Sequence, residues 1–85
     1  MRDLLQFLAE SLAEEPEQVS VGASRGDGGT RLTLRVAEGD LGTVIGRQGR
    51  TARAIRTVVA AAGSKAGESV VVEIDDGAGR RRGDR

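Results

Sequence analysis

The sequence predicts an α+β domain of element order α-β-β-α-α-β, a three-stranded mixed sheet with its helices packed on one face. Three observations predict it. Apolar residues recur at helical spacing near the N-terminus and again in the second half, two alternating segments flank a glycine-rich turn, and the valine run Val70-Val71-Val72 closes the pattern. At 85 residues one small core is all the chain can bury. That core is aliphatic, because the sequence holds one Phe, no Trp and no Tyr.

Over residues 3–14, Leu4, Leu5, Leu8 and Leu12 fall within an arc of about 100° on a helical wheel, which predicts an amphipathic helix. The helix is expected to end before Pro16, whose ring removes an amide hydrogen and biases Glu15 away from helical torsions. Phe7 lies off the centre of the arc, as a flank of the core or a partner contact. Val19 and Val21 alternate in a first strand over 18–24, and Leu32, Leu34 and Val36 in a second over 30–37. The five residues between them, Arg25-Gly26-Asp27-Gly28-Gly29, form a loose hairpin connection. The Arg-Gly-Asp tripeptides beginning at Arg25 and Arg82 are read as turn and tail chemistry.

Asp40 is expected to cap a short helix over 41–45. Gly46-Arg47-Gln48-Gly49 then breaks the backbone before a longer helix over 50–62, with Ile55, Val58, Val59 and Ala62 inward and Arg50, Arg53 and Arg56 centred on the opposite face. Gly63 is expected to cap that helix, and a last strand over 68–74 follows. The strands before and after the helical pair are joined by a crossover, so they should lie parallel. Residues 1–75 are expected to form the domain, and 76–85, with Arg80, Arg81 and Arg82, a disordered basic tail.

Composition removes most catalytic chemistry. Without Cys or His there is no disulfide frame, thiol nucleophile, soft-metal ligand set or imidazole base, so no enzyme activity, metal or cofactor is expected. No apolar stretch reaches the ~20 residues that cross a bilayer, and the absence of both an export signal and Cys predicts a cytoplasmic chain that takes neither membrane nor small-molecule substrate. A phosphate-binding P-loop and the G-x-G-x-x-G dinucleotide pattern both require Gly where Val44 stands. Asp75-Asp76 are adjacent at a strand end, where neighbouring side chains face opposite ways, and are not read as a metal site.

A net charge of zero conceals an asymmetry: residues 41–66 carry Arg47, Arg50, Arg53, Arg56 and Lys65 and no acid. Positive potential is therefore concentrated on one part of the surface. Within that stretch Gly46 and Gly49 permit torsions closed to other residues and remove β-carbons that would hold a sugar-phosphate chain away. The following helix begins at the same point, so its positive end and the guanidinium groups of Arg47 and Arg50 converge on a bound anion.

The segment Val44-Ile45-Gly46-Arg47-Gln48-Gly49-Arg50 resembles the KH domain, whose G-x-x-G loop clamps the backbone of four nucleotides. A helix and strand ahead of the β-α-α-β core resemble the type II KH fold. More narrowly, Asp3-Leu4-Leu5-Gln6-Phe7-Leu8-Ala9, the block from Leu41 to Arg50, and Ala54-Ile55-Arg56-Thr57-Val58-Val59 resemble the small bacterial single-KH proteins of the KhpA family.

That resemblance implies single-stranded RNA binding, with Gly46, Arg47, Gln48 and Gly49 as the clamp and Arg50 and Arg53 meeting phosphates. Val44 and Ile45 would line the apolar floor under the bases, pack the core, or both, while Arg56, two turns from the loop, is expected on the solvated face. Ala52 stands where many KH domains carry a larger aliphatic residue, which shallows the groove. The resemblance further implies self-association as a homodimer, pairing with a KhpB-type KH protein, and an RNA chaperone or post-transcriptional role linked in some bacteria to cell-wall growth and cell length. With no aromatic stacking platform, binding rests on aliphatic contact and phosphate neutralisation; two to four phosphates give a slope of log affinity on log salt of about −1.5 to −3 and micromolar-class affinity per copy. The competing expectation is a protein-interaction adaptor with a structural glycine loop, docking partners through Phe7 and the leucine helix.

Overall fold

A computed structural model describes residues 1–75, so the expected tail lies outside the described residues. Helix α1 spans Arg2–Leu12, strands β1 and β2 span Ser20–Gly26 and Gly29–Arg35, the short helix α2 spans Leu41–Ile45, the long helix α3 Arg50–Lys65, and strand β3 Val70–Ile74. The strand order is β1-β2-β3, with β1 antiparallel and β3 parallel to β2. The crossover through α2 and α3 thus gives the parallel pair its order requires.

One sheet face carries the core. Val21 on β1, Leu32 and Leu34 on β2, and Val70 and Val72 on β3 are buried, whereas Arg31, Arg35 and Val71 between them are exposed. The valine run therefore alternates like any strand covered on one side. Leu5 and Ala9 of α1 and Val59 of α3 have no accessible surface. Each large aliphatic side chain so enclosed contributes about 1.5–3 kcal/mol.

Several expectations are corrected. Helix α1 stops at Leu12, because Ala13 adopts extended torsions (φ −82°, ψ 144°), and this leaves Leu12 at the rim, 39% exposed, with Ala9 as the inward residue. Pro16 opens a 3-10 turn, Pro16–Gln18, that delays the first strand to Ser20. Gly26 pairs with Gly29, so the hairpin connection is two residues, Asp27 and Gly28, rather than five. Gly29 takes φ 122°, and a β-carbon there would collide with the Ser69 carbonyl.

Asp40 precedes α2 but makes no capping bond to it. Its carboxylate is buried and accepts the amides of Glu14 (2.9 Å) and Glu15 (3.0 Å), fastening the end of α1 to the start of α2. Gly63 lies inside α3 rather than after it: the helix continues to Lys65, and Gly67, at φ 80°, supplies the left-handed residue beyond its end. Val58 is 49% exposed, and the buried stripe of α3 is Ala52, Ile55, Val59 and Gly63. The wheel groups Val58 with the apolar arc, but the sheet meets the helix along a line rotated toward Ala52.

Candidate nucleic-acid interface

The break after α2 is made by three residues with positive φ. The Gly46 amide closes the last turn on the Gly42 carbonyl (2.8 Å), and Gly46 itself turns the chain at φ 78°, ψ 169°. Gln48 (φ 58°) and Gly49 (φ 73°) follow in left-handed torsions, with the Gly49 amide donating to the Gly46 carbonyl (3.1 Å). Helices α2 and α3 remain distinct.

The two glycines differ in what surrounds them. A β-carbon at Gly46 would strike the side chain and amide of Thr51, while one at Gly49 would meet nothing within 4 Å. Gly46 is therefore required by packing, and the bare Gly49 α-carbon faces open space. Arg47 and Gln48 are exposed, and an Arg50 guanidinium Nη donates to Gln48 Oε1 (3.3 Å) across the first turn of α3. The amides of Gly49 and Arg50 are already engaged by the Gly46 and Arg47 carbonyls, so the loop offers guanidinium charge and the positive helix end more than free donors.

Val44 has no accessible surface and belongs to the core; of the roles open to it, it takes packing. Ile45 is half-buried beside the loop, and Arg53 is exposed one turn into α3.

Arg56 is exposed, as expected, but its side chain is held against the sheet. On the wheel it lies about 40° from Ala52 and hence beside the buried stripe, and its Nε donates to the carbonyl of Val72 on β3 (3.3 Å). Among the described residues strand β3 is an edge strand. Thr30 N–H bonds Ser69 O (2.8 Å) and Asp75 N–H bonds Leu34 O (2.9 Å), which turns alternate residues of β3 toward β2. Val70, Val72 and Ile74 therefore direct both amide and carbonyl to the free edge. A depression of about 340 Å³ lies where the end of α3 meets the start of β3, lined by Ala60, Ser64, Gly67, Glu68, Ser69 and Val70. The sequence alone omits this strand edge, since the valine run shows burial but not register; the wheel position of Arg56 is the one signal for its placement.

The mixed three-stranded sheet, the two helices set apart by a G-x-x-G turn and the leading helix and strand define a KH domain of the type II arrangement. The chain belongs to the KhpA/KhpB KH-domain family, whose model matches residues 2–74. It is 49% identical over 74 residues to the RNA-binding protein KhpA of Clostridium perfringens, covering 87% of this chain and 99% of that relative. The RNA-binding protein KhpA of Aquifex aeolicus is 40% identical over 74 residues (87% and 94%), and that of Streptomyces coelicolor 40% over 75 residues (88% and 95%). No helix among the described residues is long and apolar enough to cross a membrane.

Proposed function

We propose that the chain binds a short run of single-stranded RNA, with its backbone on the 46–49 loop and its bases beside Ile45. The observation that carries this is the open face of Gly49 between exposed Arg47, Gln48 and Arg50, at the start of a helix in a stretch without acids. The family and the names of the relatives support it. Gly46, Arg47, Gln48 and Gly49 form the clamp, Arg50 and Arg53 neutralise phosphates, Ile45 supplies apolar contact, and Val44 holds that floor from beneath.

One such site is small. Its role as a cytoplasmic RNA chaperone or post-transcriptional regulator then draws on multiplicity, through self-association or a KhpB-type partner, since a second linked site raises avidity without new contacts. The joint KhpA/KhpB family model supports that partner, and the resemblance carries the link to cell-wall growth and cell length. No enzymatic step or cofactor is assigned.

The test is the double substitution Arg47→Asp with Gln48→Asp. Both side chains are exposed, and Asp tolerates the left-handed torsions of position 48. RNA binding by gel shift should be lost with the fold retained. Unchanged binding would favour a second reading, a protein-interaction adaptor, for which Phe7 speaks: the one aromatic residue is 64% exposed on α1. In that case Phe7→Ser should abolish partner capture while RNA binding is untouched.

A further inference from the structure

Among the described residues Gln48 is the one non-glycine residue with positive φ (φ 58°, ψ 24°). A side chain in that region costs stability, and such residues cluster at functional sites. Core packing supplies no reason for it here, because the Gln48 side chain is exposed and the α-carbon of Gly49 beside it faces open space. What the left-handed torsion does bring is a bond. Gln48 Oε1 accepts an Nη–H of Arg50 at 3.3 Å. Residues two apart on a regular helix do not face each other, so this pair meets because the chain turns left-handed just before α3 begins.

The residue type fits an orienting role. A guanidinium has five N–H donors, so one bond to Gln48 leaves the others for a phosphate. The glutamine amide is neutral and holds Arg50 without cancelling its charge. A carboxylate at 48 would hold Arg50 as well but would repel the same phosphate, and a lysine or arginine there has no acceptor to offer. Asparagine takes left-handed torsions more readily, but its side chain is one methylene shorter.

We propose that Gln48 is a positioning residue, which holds the Arg50 guanidinium ready for the phosphate passing the bare α-carbon of Gly49, the residue between them. This rests on the RNA binding proposed above. Gln48 then serves the clamp through Arg50: a side chain restricted before the RNA arrives loses less rotamer freedom on binding, and the phosphate meets a preset fork.

The experiment measures the affinity of a fluorescein-labelled octauridylate by anisotropy across a salt series. Gln48→Gly should weaken binding by about three- to fivefold, the scale of one hydrogen bond. It should also flatten the slope of log affinity on log salt by up to about 0.7, the value of one phosphate contact, although no charge has been removed. Its melting temperature should hold or rise, since glycine takes the torsions of position 48 without a steric cost. In an Arg50→Gln background, Gln48→Gly should change affinity by less than about twofold, because the group it orients is gone.

An unchanged salt slope in Gln48→Gly would overturn the proposal. So would a full loss retained in the Arg50→Gln background, which would make Gln48 an RNA contact in its own right, or a melting temperature that falls along with affinity, which would make its role structural. The loop variant separates the two levels of failure. If Arg47→Asp with Gln48→Asp abolishes binding while Gln48→Gly behaves as the wild type, only the positioning role falls. If the double Asp variant leaves binding intact, the RNA reading itself falls and takes the role of Gln48 with it.

Discussion

Gly63, in the interior of α3, lies directly against Val70 of β3: a β-carbon at Gly63 would come within 2.6 Å of Val70 Cγ2 and 3.3 Å of the Glu68 carbonyl. The closest approach of helix to sheet is therefore set by a missing methyl group. In an ordinary helix interior, Gly→Ala stabilises by about 1 kcal/mol. Here Gly63→Ala should destabilise by about 1–3 kcal/mol through overpacking. In a double-mutant cycle with Val70→Ala, urea denaturation should show the two substitutions coupled by more than ~0.5 kcal/mol, the smaller side chain relieving the clash. A Gly63→Ala protein more stable than the parent would refute this packing.

Gly46 and Gly49 should respond differently to alanine. Both sit at positive φ, which costs an L-residue about 1–2 kcal/mol. Gly46 adds collision with Thr51 and a ψ of 169°, a combination open to glycine alone. Gly46→Ala should therefore lower the melting temperature by more than Gly49→Ala, whose ~1–2 kcal/mol corresponds to about 4–16 °C in a domain of this size. Equal melting shifts would contradict the crowding at Thr51.

Asp40 replaces a backbone bond network at the joint between α1 and α2. Asp40→Ala strands the amides of Glu14 and Glu15 and should cost about 2–3 kcal/mol, since bonds to a charged acceptor exceed neutral ones. Asn retains one acceptor oxygen, so Asp40→Asn should fall between the two in chemical denaturation. A neutral Asp40→Ala would show that the joint is held elsewhere.

Salt dependence should count the phosphate contacts. If Arg47, Arg50 and Arg53 each neutralise one phosphate, log affinity plotted against log salt should have a slope near −2, at about −0.7 per contact, and each Arg→Gln change should flatten it by about that amount. Arg35, which pairs with Asp75 (2.9 Å) on the sheet face away from the helices, is the control whose substitution should leave the slope alone. Fluorescence anisotropy across a salt series measures both.

Local chemistry made much of this domain legible. The short helix from Leu41 to Ile45, the glycine break and the start of α3 at Arg50 were readable because each depends on torsions and spacing within a few residues. Hydrophobic alternation located the first two strands and the continuous valine run the third, and their order around two helices demanded a parallel pair. The absence of acids between residues 41 and 66 was likewise legible in the sequence alone.

Contacts between distant segments were decided only by folding. Asp40 has the residue type of a helix cap, yet its carboxylate goes to amides 25 and 26 residues earlier, because the turn of α1 brings unpaired donors to it. Gly63 has the residue type of a helix end, yet the approach of Val70 puts it at a packing seam. Arg56 and the edge of β3 meet only once register and helix rotation are set, and neither is written in a one-dimensional period. Periodicity names the face a residue shares with its neighbours in sequence; which segment comes to lie against that face follows from the simultaneous packing of the whole core.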